Sequence, residues 1–186
     1  MAPRAGLGEQ VVVAAAVELI DAEGLEALSV GRLAERLGVK PPSLYKHVAG
    51  LDGLRRGIAL HGLRELARQM GQAAIGKSGD EALMALADAY HRFAQEHPGL
   101  YAMTVRAPDP ADAAMAAAST EVLAVIKAVL APYGLDAATT IHTIRGFRAI
   151  VHGFVALENL GGFGLPVDVE ATFHHLIAMF VGGLRR

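Results

Sequence analysis

The chain has 186 residues, a formal net charge of -2 and no cysteine, which excludes a disulfide framework and thiol chemistry and leaves room for one or two small cores. Alanine, leucine and glycine dominate, tryptophan is absent and alternating runs rich in Thr, Ile and Tyr are missing, so the chain reads as all-α. Neither apolar run reads as a leader or a membrane span: Glu9 precedes residues 11–17, while residues 171–184 contain His174 and His175 and are too short for a hydrocarbon layer of about 30 Å. A soluble, cytoplasmic protein is expected, with no membrane partner.

Residues 8–23 form the first expected helix, with Val12, Ala16, Leu19 and Ile20 on one side and Gly24 as its stop. Residues 28–54, LSVGRLAERLGVKPPSLYKHVAGLDGL, then read as two short helices joined by a tight turn. Ser29 is the N-cap of the first, because its hydroxyl can accept from a free N–H of the opening turn. Val30, Leu33, Ala34 and Leu37 recur at i, i+3, i+4 and i+7 as one apolar face, and Gly38 supplies the left-handed residue that ends a helix. Lys40, Pro41, Pro42 and Ser43 restart the chain, since proline fits a first turn whose N–H groups lack partners. In the second helix Leu44 and Val48 point one way, and Ser43, Lys46 and His47 largely the other. Two such helices make a helix-turn-helix whose second helix can enter a major groove. Within residues 29–56, Arg32, Arg36, Lys40, Lys46, Arg55 and Arg56 face only Glu35 and Asp52, a basic surface on a slightly acidic chain that suits phosphate attraction. An ordinary solvated helical hairpin is the bland reading of the same pattern.

A long helix over residues 51–74 follows, through Leu54, Ile58, Leu63, Leu66 and Met70, so the domain boundary falls inside a helix. Residues 71–78, GQAAIGKS, fit the phosphate-loop pattern G-x-x-x-x-G-K-[ST]. A working loop needs a buried strand before it, and HGLRELARQM is helical in its spacing, so a helix end and a Gly/Ser turn are expected instead. Residues 80–96 form an amphipathic helix with Leu83, Leu86, Ala87, Tyr90 and Phe93 inward, ended at His97-Pro98. A short segment over 100–106, a break at 107–110 and an Ala-rich helix over 111–130 come next. Asp136 caps a helix reaching about Asn159, apolar almost all round and therefore buried on more than one side. After a loop at 161–166, the last helix carries Phe173, Leu176, Ile177, Phe180 and Leu184. These two C-terminal helices exceed what one small domain must cover, and pairing them with a second copy gives an isologous four-helix bundle.

The eight histidines offer neither His at i and i+4 nor HExxH, and His174 and His175 point about 100° apart on a helix, so no metal or other cofactor is expected. His91, His97, His142 and His152 read as packed or hydrogen-bonded residues, and His47 as part of the recognition helix. No G-x-S-x-G elbow occurs, and acidic pairs such as Asp80 and Glu81 sit at helix starts, where they complement the dipole. No enzyme chemistry follows from these residues.

The pattern LxxxxLAxxLGVxxxSLYxHVxxxxxL, preceded by AAAVELIDAEGLEALS, resembles the N-terminal domain of TetR-family transcriptional regulators over about the first third of the chain. Residues 147–166, FRAIVHGFVALENLGGFGLP, resemble the C-terminal WHG domain of that family, without its tryptophan. The resemblance implies a three-helix DNA-binding domain over residues 1–55 and a helical effector-binding and dimerisation domain over 56–186. It implies a homodimeric repressor, released from a palindromic double-stranded operator by a small molecule. Lys40, Pro41, Pro42 and Ser43 are expected to face base edges, and Ser29, Arg32, Tyr45, Lys46 and His47 to complete the DNA surface, mostly through phosphates. Tyr90, Phe93, Tyr101, Met103, His142 and Phe147 are the expected walls for a mostly apolar effector. Two other classes compete: a nucleotide hydrolase using residues 71–78, and a helical carrier that binds a small molecule without DNA.

Overall fold

The computed structural model describes residues 7–185, and every regular element among them is helical. The α-helices are α1 (Glu9–Glu23), α2 (Val30–Leu37), α3 (Pro41–Leu44), α4 (Gly50–Ala74), α5 (Gly79–Glu96), α6 (Pro98–Thr104), α7 (Ala113–Leu130), α8 (Ala137–Asn159) and α9 (Val169–Gly183). Single 3-10 turns lie at Leu25–Ala27 and Ala131–Tyr133. Local chemistry sets most boundaries. Ser29 Oγ accepts from Arg32 N at 3.2 Å, Asp136 Oδ1 from Thr139 N at 2.9 Å and Asp168 Oδ1 from Ala171 N at 3.0 Å, each satisfying an N–H that the first turn leaves free. Gly38 closes α2 at φ 65°, a left-handed conformation that side chains resist.

The chain folds as two compact units. Among the described residues, the first holds those up to Leu63 together with Glu96–Ala118, and the second holds Arg64–Gln95 and those from Ser119 onward. This grouping differs from a cut at residue 55: α6 and the loop after it pack with the N-terminal helices. α4 and α7 each begin in the first unit and end in the second.

In the first unit Val12, Ile20, Leu33, Leu44, Leu54 and Ile58 are buried together, so α1, α2, α3 and α4 share one core. α1 and α6 meet at backbone distance, because a Cβ on Gly99 would lie 2.4 Å from the Ile20 carbonyl oxygen. Asp21 holds that junction, accepting from Leu100 N at 2.9 Å and lying 2.9 Å from His97 Nδ1.

In the second unit Phe147 is buried beside Tyr90 and Phe180, with ring centroids 6.2 and 6.1 Å away. Phe154 and Phe173 form a second aromatic cluster at 5.1 Å. α8 is not enclosed on all sides within one chain: Ile141 and Leu157 are exposed, as is Met179 on α9. The stretch Ala113–Tyr133 is long and apolar enough to cross a membrane by length and composition; its Val122, Ile126, Val129 and Leu130 are buried in the second unit. Residues 71–78 end α4, turn at Gly76 and lead into α5, with no strand among the described residues to aim them as a phosphate loop.

Candidate nucleic-acid interface

The second helix of the helix-turn-helix is a single turn. Pro41 and Pro42 occupy its first two positions, where a missing N–H is tolerated, and Ser43 N donates to Lys40 O at 2.9 Å. The turn is held from beneath by Leu44 and Val48, both buried, with Val48 N donating to Leu44 O at 3.0 Å. Lys40, Pro41, Pro42, Tyr45 and Lys46 are exposed, Tyr45 at 57 %, and Ser43 and His47 are half-buried. Packing thus leaves one continuous polar and pyrrolidine surface at the sequence positions expected to face DNA.

The fold sorts the basic residues in a way their order in the chain does not reveal. Arg32 is paired with Glu23, Arg36 with Glu18 at 3.0 Å and Arg56 with Asp112 at 2.5 Å, while Arg55 lies 3.8 Å from Asp52. Glu18 and Glu23 come from α1, and Asp112 from the loop before α7. Lys40 and Lys46 have no carboxylate partner among the described residues. An unneutralised ammonium on an exposed surface is what attracts phosphate; a guanidinium already bound to a carboxylate attracts it less. Arg32 therefore enters the surface as a partly neutralised group, and Ser29 spends its hydroxyl as an N-cap. The three carboxylates lie outside the 29–56 segment. The one local signal was at Asp112, an N-cap residue directly before α7 that accepts from Met115 N at 3.1 Å.

The six expected effector walls are divided between the two units. Tyr90, Phe93 and Phe147 are buried in the second unit, whereas Tyr101 and Met103 lie on α6 in the first. His142 is exposed on α8, a correction to its expected place facing the interior: it stands one position before the buried Thr143 and Ile144, and so just off the inward stripe.

Comparison with known proteins agrees with this architecture. Residues 12–50 match the profile of bacterial regulatory proteins of the tetR family, and residues 83–180 match the tetracyclin repressor-like C-terminal domain. The uncharacterised HTH-type transcriptional regulator YobS of Bacillus subtilis is 34 % identical over 99 % of this chain and 96 % of its own length. The uncharacterised HTH-type transcriptional regulator Rv0681 of Mycobacterium tuberculosis is 33 % identical over 98 % and 84 %. Among solved structures, a protein of unknown function from Rhodococcus sp. RHA1 superposes with a TM-score of 0.81 at 22 % identity, covering both chains fully. TetR-Q116A from Acinetobacter baumannii AYE, in complex with minocycline, superposes at 0.75 and 20 % over 97 % of each chain; these two likenesses show the fold. The helix-turn-helix, the C-terminal helical domain and the full-length relatives agree: the chain belongs to the tetR family of bacterial regulatory proteins and is a helix-turn-helix transcriptional regulator.

Proposed function

We propose that the chain acts as a cytoplasmic homodimeric repressor that grips a palindromic operator and releases it when a small molecule binds. The observation that carries this reading is the pair of exposed, unneutralised lysines, Lys40 and Lys46, flanking the α3 turn while Arg32, Arg36 and Arg56 are each engaged with a carboxylate. In this reading Lys40, Pro41, Pro42 and Ser43 face base edges, the prolines against thymine methyl groups, and Tyr45, Lys46 and His47 hold phosphates. Ser29 and Arg32 support the surface from the start of α2. Residues 1–55 read DNA, and residues 56–186 assemble the dimer and take the effector.

Dimerisation is supported by the exposed Ile141, Leu157 and Met179 beside the small exposed Ala149, Gly153, Ala156 and Gly182, a face that a two-fold copy of α8 and α9 would cover. A mostly apolar effector is supported by a cavity of about 360 Å³ walled by Ala74, Ile75, Ala82, Val125, Val129 and Pro132, and by the minocycline complex of the structural relative. The aromatic residues Tyr90, Phe93 and Phe147 act as packing in this account.

Selection of duplexes from a random pool with the purified protein, followed by gel shift of the enriched sequence, tests the reading. Recovery of inverted half-sites about 34–36 Å apart, or a multiple of that, is expected. Retention of every duplex with one salt-dependent affinity would overturn it.

A further inference from the structure

In the second unit, α5, α8 and α9 enclose a polar cavity of about 340 Å³, within the roughly 300–1,000 Å³ of small-molecule pockets. Asp88, His91, Arg92 and Gln95 form its α5 wall at one helical stripe, Glu158 reaches it from the last turns of α8, and Glu170 and His174 from the start of α9.

The wall is built and held. His91 is 7 % exposed, in a helical core where an apolar side chain of similar volume would be no less stable. Its ring stacks on Phe173 with centroids 4.3 Å apart and 19° between planes, and Phe154 meets it edge-on at 5.6 Å. Nε2 lies 2.7 Å from Glu158 Oε2, and Gln95 donates to Oε1 of the same carboxylate at 3.0 Å. An ionised carboxylate only accepts, so Nε2 carries a proton, and in the neutral form of the ring Nδ1 is an acceptor. That Nδ1 has no hydrogen-bond partner among the described residues. Every fully buried side-chain nitrogen and oxygen there is paired, so Nδ1 is not sealed in the core, and its ring lines the cavity.

Two of the carboxylates also keep unused acceptor oxygens. Asp88 spends Oδ1 on His174 Nε2 at 3.0 Å and keeps Oδ2, and Glu170 has no partner among the described residues. Three carboxylates stand against the single guanidinium of Arg92. Such a wall calls for a ligand that donates N–H and carries positive charge. Arg92 repels a second cation and offers donors to an oxygen instead. We propose that this cavity binds a small organic monoamine bearing a hydroxyl group, its ammonium donating to His91 Nδ1 and to the carboxylates of Asp88 and Glu170, and its oxygen accepting from Arg92.

Calorimetric titration of the full-length protein near neutral pH, without DNA, tests the site apart from the operator reading. The probes are tyramine, ethanolamine, spermidine and 4-ethylphenol, the last being tyramine without its nitrogen. One tyramine or ethanolamine per chain is expected, with 4-ethylphenol and spermidine about tenfold weaker or worse. Asp88→Asn and Glu170→Gln, both near the cavity mouth, should each lose about tenfold with unchanged circular dichroism and melting temperature. His91→Leu keeps the packing and removes the lone pair, and should abolish binding; if it fails to fold, the two carboxylate variants decide. No saturable heat with either hydroxylated amine, equal binding of 4-ethylphenol, tighter binding of spermidine, or undiminished binding by both carboxylate variants would each overturn the assignment.

Discussion

Arg56 lays its guanidinium flat against the Asp112 carboxylate, Nε 2.5 Å from Oδ2 and Nη2 2.7 Å from Oδ1. This is the bidentate geometry that a planar fork and a carboxylate adopt, and it joins α4 to the first turn of α7. The same carboxylate accepts from Met115 N at 3.1 Å, so one side chain both caps α7 and ties it to α4. The guanidinium first, and the backbone N–H groups after it, hold the Asp112 carboxyl down at about 2 instead of its ordinary 3.8.

That depression sets an acid limit. A carboxyl whose folded value is lowered contributes stability that is complete above its ordinary value and lost as pH falls toward the folded one. Thermal melts between about pH 5 and pH 2 should therefore show wild type losing its advantage over Asp112→Asn in the window from roughly 4 down to 2. Because the pair is partly exposed, added salt should narrow the difference. Parallel curves for the two proteins would contradict the role given to this carboxylate.

Gly99→Ala should destabilise the first unit by about 1–3 kcal/mol, because the added Cβ meets the Ile20 carbonyl and two backbones must part. A melting point lower by roughly 2–4 °C per kcal/mol is expected for a chain of this size. Gly31→Ala is the control. Nothing lies within 4 Å of its Cβ, and it sits inside α2, away from the α8 and α9 face, so a gain of about 0.5–1 kcal/mol in helix stability should follow. A neutral Gly99→Ala would mean that α1 and α6 separate more easily than their packing indicates.

At the DNA surface, Lys46→Ala should weaken all duplexes alike and lower the salt slope by about 1, whereas Lys40→Ala should also shift the base preference. Arg32→Ala should do less than Lys46→Ala, since Glu23 already takes much of that charge. Fluorescence anisotropy against salt, on the selected operator and a scrambled duplex, separates the three. Equal slopes and equal selectivity for both lysine variants would remove the division between positioning and reading.

Met179→Glu is the cleanest probe of assembly, because the side chain is 57 % exposed in the chain and its loss should leave the core intact. Leu176→Glu and Phe180→Glu should act in the same direction, with some core damage added, since both are half-buried already. If α8 and α9 form the two-fold bundle, each charge is buried unpaired and the dimer should dissociate by light scattering, with operator affinity falling in step. A dimeric, operator-binding Met179→Glu protein would place the interface on another face.

Much of this protein was legible in local sequence. The caps at Ser29 and Asp136, the stop at Gly38 and the proline start of α3 all follow from hydrogen bonds or dihedral limits spanning about four residues, which is why reading in order finds them. The same locality exposed residues 71–78 as a helix end, and singled out Lys40 to His47 as the surface to watch. What tertiary structure alone decided is which charges remain available. Glu18 reaches Arg36 across 18 positions, Asp112 reaches Arg56 across 56 and Glu158 reaches His91 across 67. No periodicity encodes such pairs, because they depend on which helix faces pack against each other. The same holds at the expected effector walls: an apolar side chain at helical spacing announces that it will be buried, while only the packed fold determines whether it lines a cavity or fills a core.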